Sequence, residues 1–510
     1  MQFILLDRGE KLPIDAKNLV CLAIDRWNDY SFVTMFYMTV FDEEGQESHI
    51  GNIKIGFEKQ TIDISTYQKI QEIFSGKIFD RLPETFFSLG QDVDFYIEIW
   101  KLPNHIKRFI LENLNDVVYK PELVNKFNNE PVFETSLMRD LREQTIKDQF
   151  SRILEDKSPL SEFHFYFIRT EQEENMGKIN LEFNVVPNSM PSSNIHAIIG
   201  RNGVGKTTLL NGMIKSFIDK SDDKEGAFYQ KHFGFSKGVK KISDDYFSYL
   251  IAVSFSIFDP FIPNQENLQY YWYIGLKESN EKLKEPQAYF KDDFWQSFSK
   301  CKSFSAKKER WLNAIRALES DNNFAEMQLS NLMNNDFNEE KILKSIKRMS
   351  SGHASVLLII TQLVARVEEK TLVLLDEPEI HLHPPLLSAF IRALSELLDN
   401  RNGIAIIATH SPVVLQEIPK SCVWKIERTG RRTDPFRPKI ETFGENVGVL
   451  TREVFGLEVM KSGFHRILTK KVEEGGSYDE IVSEFQEQLG SEAKILLRTL
   501  IKLRDNQNNG

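Results

Sequence analysis

The chain has 510 residues, 41% hydrophobic, 27% charged and 11% aromatic, a globular composition that excludes wholesale disorder and provides core material for two or three domains. Lysine and arginine (64) against aspartate and glutamate (74) leave a net charge of −10, which excludes a diffuse cationic coat for nucleic acid or anionic lipid, so any such contact must be a local patch. Cys21, Cys301 and Cys422 lie far apart without a CxxC pair, which argues against a disulfide framework or a cysteine-zinc site; with neither a signal-peptide core nor 18 consecutive apolar residues, the expectation is a cytoplasmic protein with no membrane segment.

In chain order, β-like runs at 3–6, 19–24, 32–41 and 50–57 predict a small sheet. From Ser65 to about Lys157 the spacing becomes helical, as in His105, Ile106, Phe109, Ile110 and Leu114, so residues 1–160 read as an α+β N-terminal domain. Strand-like runs resume at 163–168 and 179–186, and a Pro/Ser/Asn-rich loop at 187–194 leads into 195–199; a second domain is expected over 161–460. Within it, about 276–348 is a charged, mostly helical insertion with Trp295, Phe298, Trp311, Ile315 and Leu318 facing inward and no sustained heptads. Residues 461–510 read as C-terminal helices: a capping box of Ser477 and Glu480 opens one with Ile481, Phe485 and Leu489 inward, and a last helix carries Ile495, Leu500 and Leu503 before a frayed polar end from Asp505.

Four motifs carry chemistry. The first is Gly200-Arg201-Asn202-Gly203-Val204-Gly205-Lys206-Thr207-Thr208, set between an apolar strand and a helical run. Glycines let successive backbone N–H groups curl towards phosphates and the helix start adds positive potential; Lys206 would neutralise the β- and γ-phosphates and Thr207 would ligate Mg²⁺. The second, residues 371–378, is a buried-strand run ending in Asp376-Glu377-Pro378, where Asp376 is assigned to the Mg²⁺ side and Glu377 to the general base that polarises the attacking water. Alone the pair could be two solvated acids at a strand end; the phosphate loop upstream gives it meaning. The third is Met349-Ser350-Ser351-Gly352-His353 before a long apolar helix, a further anion-binding helix start. The fourth is His410, at the end of the strand-like run 404–407, where an open α/β sheet presents side chains to a phosphate.

Together and in this order, these motifs resemble the soluble ATP-binding-cassette (ABC) ATPases, a P-loop NTPase branch that includes RecF, SMC and OLD proteins, over about residues 160–460. The resemblance implies an α/β cassette with a helical lobe, ATP and Mg²⁺ as cofactors, and a head-to-tail ATP-sandwich dimer in which Ser350, Ser351, Gly352 and His353 of one protomer complete the site holding Lys206 of the other; His410 would be the switch histidine. His353 stands where many members have Gln. The family also carries a Gln at the end of a strand after the phosphate loop; here that strand has none, leaving Ser254, Ser256, Asp259 or the more distant Gln265 as candidates.

The stretch from Asp376 to Pro384 resembles the DEPExHLHP form of OLD-like and related defence ATPases. Taken alone, His381 and His383 could ligate a metal, but the loop offers no further convenient ligands and a structural or dimer-contact role is preferred. SMC-like arms are excluded by the roughly 140 residues between Lys206 and Ser350, and the OLD nuclease pattern is absent after His410. Asp94, Glu98 and Lys101 have the wrong spacing for a nuclease triad. With the tracts 443–447 and 455–457, the layout is similar to PtuA-like ATPases of Septu and retron anti-phage systems, which implies control of a separate HNH nuclease and an association with a reverse transcriptase and its noncoding DNA or RNA. The competing reading is a RecF-like DNA-repair ATPase whose DNA contact is the hairpin with Arg428, Arg431, Arg432, Arg437 and Lys439, read otherwise as a solvated tip.

Overall fold

The computed structural model describes the chain outside residues 26–31, 140, 142–144, 156–160, 171–176, 221–222, 233–237, 255–267, 269, 278–281, 283–292, 334–341, 343–345, 347–348, 381, 431, 456–462 and 509–510. Its first layer is a six-stranded sheet: β1 (Gln2–Leu6), β2 (Leu19–Ile24), β3 (Met35–Phe41), β4 (Glu47–Phe57), β5 (Ile78–Phe79) and β6 (Phe86–Gly90), in the order β5-β1-β2-β3-β4-β6. Helices α1 (Thr66–Phe74), α2 (Val93–Lys101) and α3 (Asn104–Asn113) close one core with it, in which Ile70, Phe95, Ile99 and Ile110 meet Phe3, Val20, Ile53 and Phe87. The four runs legible in the sequence are four of the six strands. The other two sit in the stretch with helical spacing; β6 is five residues buried on both faces, so it shows no alternation to read.

The second body holds two sheets. A seven-stranded sheet, β13-β12-β14-β15-β9-β16-β17, is parallel from β13 to β16, with β17 antiparallel at its edge. Its strands are β9 (Ile195–Gly200), β12 (Tyr249–Ser254), β13 (Tyr271–Gly275), β14 (Thr371–Asp376), β15 (Ile404–Thr409), β16 (Val423–Thr429) and β17 (Arg432–Phe436). Strands β9, β12, β14 and β15 are buried at every residue, which is why they read as continuous apolar runs: such a sheet is covered on both faces. On one face Ala197, Val373, Leu375 and Ile407 pack against the helical lobe; on the other Ile198, Leu374 and Ile406 pack against α4 (Lys206–Ile218) and an antiparallel sheet of β7 (Phe163–Arg169), β8 (Ile179–Val185), β10 (Ala227–His232) and β11 (Gly238–Lys241).

The lobe contains α5 (Phe294–Ser303), α6 (Ser305–Leu318), α7 (Asn322–Glu326), α8 (Ser351–Arg366) and α9 (Pro384–Asn400). Phe298, Trp311, Ile315 and Leu318 are buried as the spacing predicts, and Trp295 is half-buried against them. The chain continues through α10 (Pro412–Gln416) and α11 (Val447–Phe455) into α12 (Gly463–Glu474), α13 (Tyr478–Glu484) and α14 (Ser491–Asn508), which share a small core of their own. The Ser477–Glu480 capping box is formed, with the Ser477 N–H donating to Glu480 Oε2 at 2.8 Å. The inner face of α14 is Ala493 and Leu497, whereas Ile495 and Leu503 are exposed, and the helix runs on through the polar residues to Asn508 where the sequence suggested fraying. Leu497 rather than Ile495 defines the packed stripe because α14 is held against α12, and the polar tail extends a helix already nucleated there.

A buried ionic network joins the first sheet to the lobe. Asp92, the N-cap of α2, accepts from Arg310 Nη2 at 2.5 Å and from Arg401 Nη1 at 2.9 Å, and Arg401 Nη2 reaches Glu368 Oε2 at 2.7 Å. Burial would raise the Asp92 carboxyl, but the two guanidinium groups overcome it and hold it well below the usual carboxylate range. Ser305 N–H adds a bond of 2.9 Å to Asn52 Oδ1.

Candidate functional site

Strands β9, β14 and β15 lie side by side in register and end together, so the loops at their C-terminal edges converge. After β9 the chain must turn sharply into α4. Gly203 and Gly205 take φ values of +79° and +96°, and a Cβ on Gly200 would stand 2.6 Å from the Ile426 carbonyl oxygen, so neither the turn nor the close strand contact tolerates a side chain. Arg201, Asn202 and Gly203 are exposed at the rim, Val204 is packed beneath, and Thr208 lies in the first turn of α4. Lys206 is buried and donates to the carbonyl oxygens of Gly200 (3.1 Å) and Arg201 (3.3 Å); burial pulls its ammonium below the ordinary value against the opposing charges of Glu377, Asp376 and Glu379.

Thr207 and Asp376, 169 residues apart in sequence, meet directly: Thr207 Oγ1 donates to Asp376 Oδ2 at 2.8 Å. This joins the two residues expected on the Mg²⁺ side. Glu377 follows with φ +47°, a left-handed conformation that costs a non-glycine residue roughly 1–3 kcal/mol, held by its own N–H donating to the Ala408 carbonyl at 2.8 Å. His410 Nδ1 stands 3.5 Å from Glu377 Oε1 and 3.2 Å from Glu379 Oε1. Glu379 was given no role from sequence, yet its Oε1 accepts from Thr409 Oγ1 (2.7 Å) and from the His410 N–H (2.8 Å), so it fixes the loop that presents His410. Its position two residues after Glu377 was the available signal.

Ser350 is the N-cap of α8, with its side chain accepting from the His353 N–H; Ser350 and Ser351 are exposed, while Gly352 and His353 are buried. The His353 ring bonds Ser350 Oγ at 2.5 Å and stands 3.2 Å from Asp321 Oδ1, so within one chain its partners are Ser350, Asp321 and His383. Of the candidates for the missing Gln, Ser254 ends β12 in register with Asp376, and its buried Oγ has no hydrogen-bond partner among the described residues. Ser256, Asp259 and Gln265 lie outside the described residues, as do His381, Arg431, Gly456 and Leu457.

Other charged candidates are engaged in packing. Asp94 pairs with Arg310 at 3.1 Å and Lys101 with Glu98 at 2.6 Å. In the β16–β17 hairpin Arg437 stacks on Trp424 at 3.7 Å and donates to the carbonyls of Val423 and Glu182, and Arg432 pairs with Asp434 at 2.8 Å. Arg437 is thereby committed within the fold, whereas Arg432 makes a surface pair and is 79% exposed. Among the described residues no helix is long and apolar enough to cross a membrane.

The glycine-built turn and the Thr207–Asp376 pair fit a nucleotide with its divalent cation, since Gly203 at positive φ leaves open space at the rim and a hydroxyl beside a carboxylate is a hard oxygen donor set. Residues 271–416 match the family model described as "AAA domain, putative AbiEii toxin, Type IV TA system". Protein ea59 of Escherichia phage lambda is 45% identical over 529 aligned positions covering 99% of each chain. Among solved structures, cbiO1 of an ABC transporter complex from Clostridium perfringens is 17% identical with a TM-score of 0.28, covering 52% of this chain and 84% of its own. UvrA2 from Deinococcus radiodurans is 12% identical with a TM-score of 0.30, covering 57% and 40%.

Proposed function

The chain belongs to the family of protein ea59 of Escherichia phage lambda and carries an ATP-binding ATPase domain of the ABC type, and on that premise we propose that it hydrolyses ATP in a composite dimer to control a separate effector in anti-phage defence. The observation that carries the composite site is exposure at both of its halves: the phosphate loop rim at Arg201–Gly203 is exposed, and so are Ser350 and Ser351 at the start of α8. A second protomer placed head to tail brings the α8 N-terminus, with its unsatisfied N–H groups, against the phosphates held by Lys206.

In this reading Thr207 Oγ1 and Asp376 hold Mg²⁺, which when bound neutralises phosphate charge and orients the γ-phosphate. Lys206 balances the β- and γ-phosphate charge from within the loop. Glu377, fixed by its strained backbone, accepts the proton of the attacking water on its carboxylate, and His410, held by Glu379, contacts the γ-phosphate side. Ser254 takes the place of the family's Gln as a polar contact at the strand end.

The effector is proposed to be an HNH nuclease, as in PtuA-like systems, with a reverse transcriptase and its noncoding DNA or RNA as further partners. The family model's description as a putative AbiEii toxin of a type IV TA system, together with the phage origin of the ea59 relative, supports a role in phage conflict. A RecF-like repair role is the second reading, weakened by the commitment of Arg437 to Trp424 and to the Val423 and Glu182 carbonyls, while Arg432 stays exposed at the hairpin. One preparation tests both. Glu377→Gln, expressed with its native neighbouring genes, is expected to lose about 10²–10⁴-fold in phosphate release while retaining ATP and accumulating as a nucleotide-bound dimer with the nuclease attached. Full hydrolysis by the variant would overturn the base assignment, and a trapped dimer carrying duplex DNA but no nuclease would overturn the defence reading.

A further inference from the structure

We propose that Asp321, His353 and His383 form a binding site for one divalent transition-metal ion of the zinc class, distinct from the nucleotide's Mg²⁺ and clamping the N-terminal turn of α8 to the starts of α7 and α9. The three come from separate elements. Asp321 is the N-cap of α7, His353 lies in the first turn of α8, and His383 immediately precedes Pro384 at the start of α9. Their ligand atoms all lie within 4.8 Å of one another.

The spacing suits a metal. At metal–ligand bonds of about 2.1 Å, tetrahedral ligand atoms stand roughly 3.4 Å apart. His353 Nε2 is 3.2 Å from Asp321 Oδ1, and His383 Nε2 is 3.5 Å from Asp321 Oδ2. Both rings thus aim a nitrogen at one carboxylate, their centroids 5.6 Å apart. Supporting contacts are in place as well: His353 Nδ1 bonds Ser350 Oγ at 2.5 Å, and Asp321 Oδ1 accepts from the Phe324 N–H at 3.0 Å.

Asp321 and His353 side chains are 6% and 8% exposed, while His383 is 43% exposed, so the site is anchored inside and open on one side for entry and for a water as fourth ligand. Two imidazoles and one carboxylate select zinc and its late first-row neighbours over Mg²⁺ or Ca²⁺, which take all-oxygen sets. The cysteines do not compete: all three are buried, and burial pushes the Cys301 thiol up to about 12 and those of Cys21 and Cys422 to about 11. The HxH reading of the sequence paired His383 with His381; the fold supplies different partners from 30 and 62 residues upstream. Ion binding here does not depend on the ATPase reading.

The test uses the untagged full-length chain, stripped with a chelator and titrated with Co²⁺ and then Zn²⁺. Expected is one Co²⁺ per chain with the visible absorption of a tetrahedral nitrogen–oxygen site, displaced by Zn²⁺, and a rise in Tm with Zn²⁺. His383→Ala, at an exposed side chain, and Asp321→Asn, which keeps the helix cap, should each keep the metal-free Tm and weaken Zn²⁺ binding at least about tenfold. Absence of saturable Co²⁺ binding in the parent chain, or equal Zn²⁺ affinity in parent and both variants, would overturn the proposal.

Discussion

His196 shows how much a single buried group can set the response to acid. It sits in β9, fully buried, with its ring edge-on to Phe183 at 5.2 Å. Burial lowers its pKa from 6.5 to about 3, with the Arg437 charge acting in the same direction. The folded chain therefore keeps the ring neutral while an unfolded chain protonates it, so between about pH 6.5 and 3 the unfolded state binds more protons and stability falls as pH falls. At pH 5, the 1.5 units below 6.5 correspond to a loss on the order of 2 kcal/mol. His196→Leu, similar in volume and without a proton to gain, is expected to remove that part of the acid limb. Urea midpoints of parent and variant at pH 7.5 and pH 5 measure it, and identical pH dependence would show that other groups dominate. The same strand ends in Gly200, where the sequence made the phosphate loop plain, but nothing in the residue string around His196 marked it as a titration point: that follows only from what covers it.

At the scale of elements, the parallel strands were readable because a sheet covered on both faces needs unbroken apolar runs, and the motifs at their ends fell where strands meet loops. Thr207 and Asp376 could be assigned to one ion by their chemical types, and the fold brings them to 2.8 Å. The partnership of Asp321 with His353 and His383 was illegible, because it is made by the packing of three helix starts whose spacing in sequence carries no period. Helix α4 gives a test of such packing. Gly212 lies in its interior, where alanine ordinarily gains about 1 kcal/mol of helix stability. Here a Cβ would stand 2.7 Å from the Glu225 carbonyl oxygen, a backbone atom that cannot move without shifting the approach to β10. Overpacking of this kind costs roughly 1–3 kcal/mol. The balance predicts that Gly212→Ala lowers stability by about 1 kcal/mol and, because α4 begins at Lys206 and Thr207, also weakens ATP binding; calorimetric Tm and nucleotide titration check the two effects. A rise in Tm would mean that the loop before β10 yields easily.

For the molecule as a whole, the question is what joins the N-terminal core to the body that carries the phosphate loop. The two cores are separate, and the Asp92–Arg310–Arg401–Glu368 network crosses between them, with Lys307 Nζ completing it at 2.5 Å from Glu368 Oε1. Such a network is a poor source of net stability, since removing charges from water offsets their attraction, but it is intolerant of losing one member. Arg310→Met would leave Asp92 with Arg401 alone and Asp94 without its 3.1 Å partner. The cost is placed at about 3 kcal/mol, the low end for a broken buried pair because one guanidinium remains. Removing one of the two carboxylates left in excess with Asp92→Asn in the same chain should recover part of that loss, a recovery that simple loss of packing would not give. If the network is the mechanical link, the single variant should also split thermal unfolding into two transitions and leave the second body able to bind nucleotide. Differential scanning calorimetry with and without ATP distinguishes the cases: ATP would raise only the later transition in Arg310→Met but the whole transition in the parent, whereas one cooperative transition in both would mean that apolar contacts, not charges, join the two bodies.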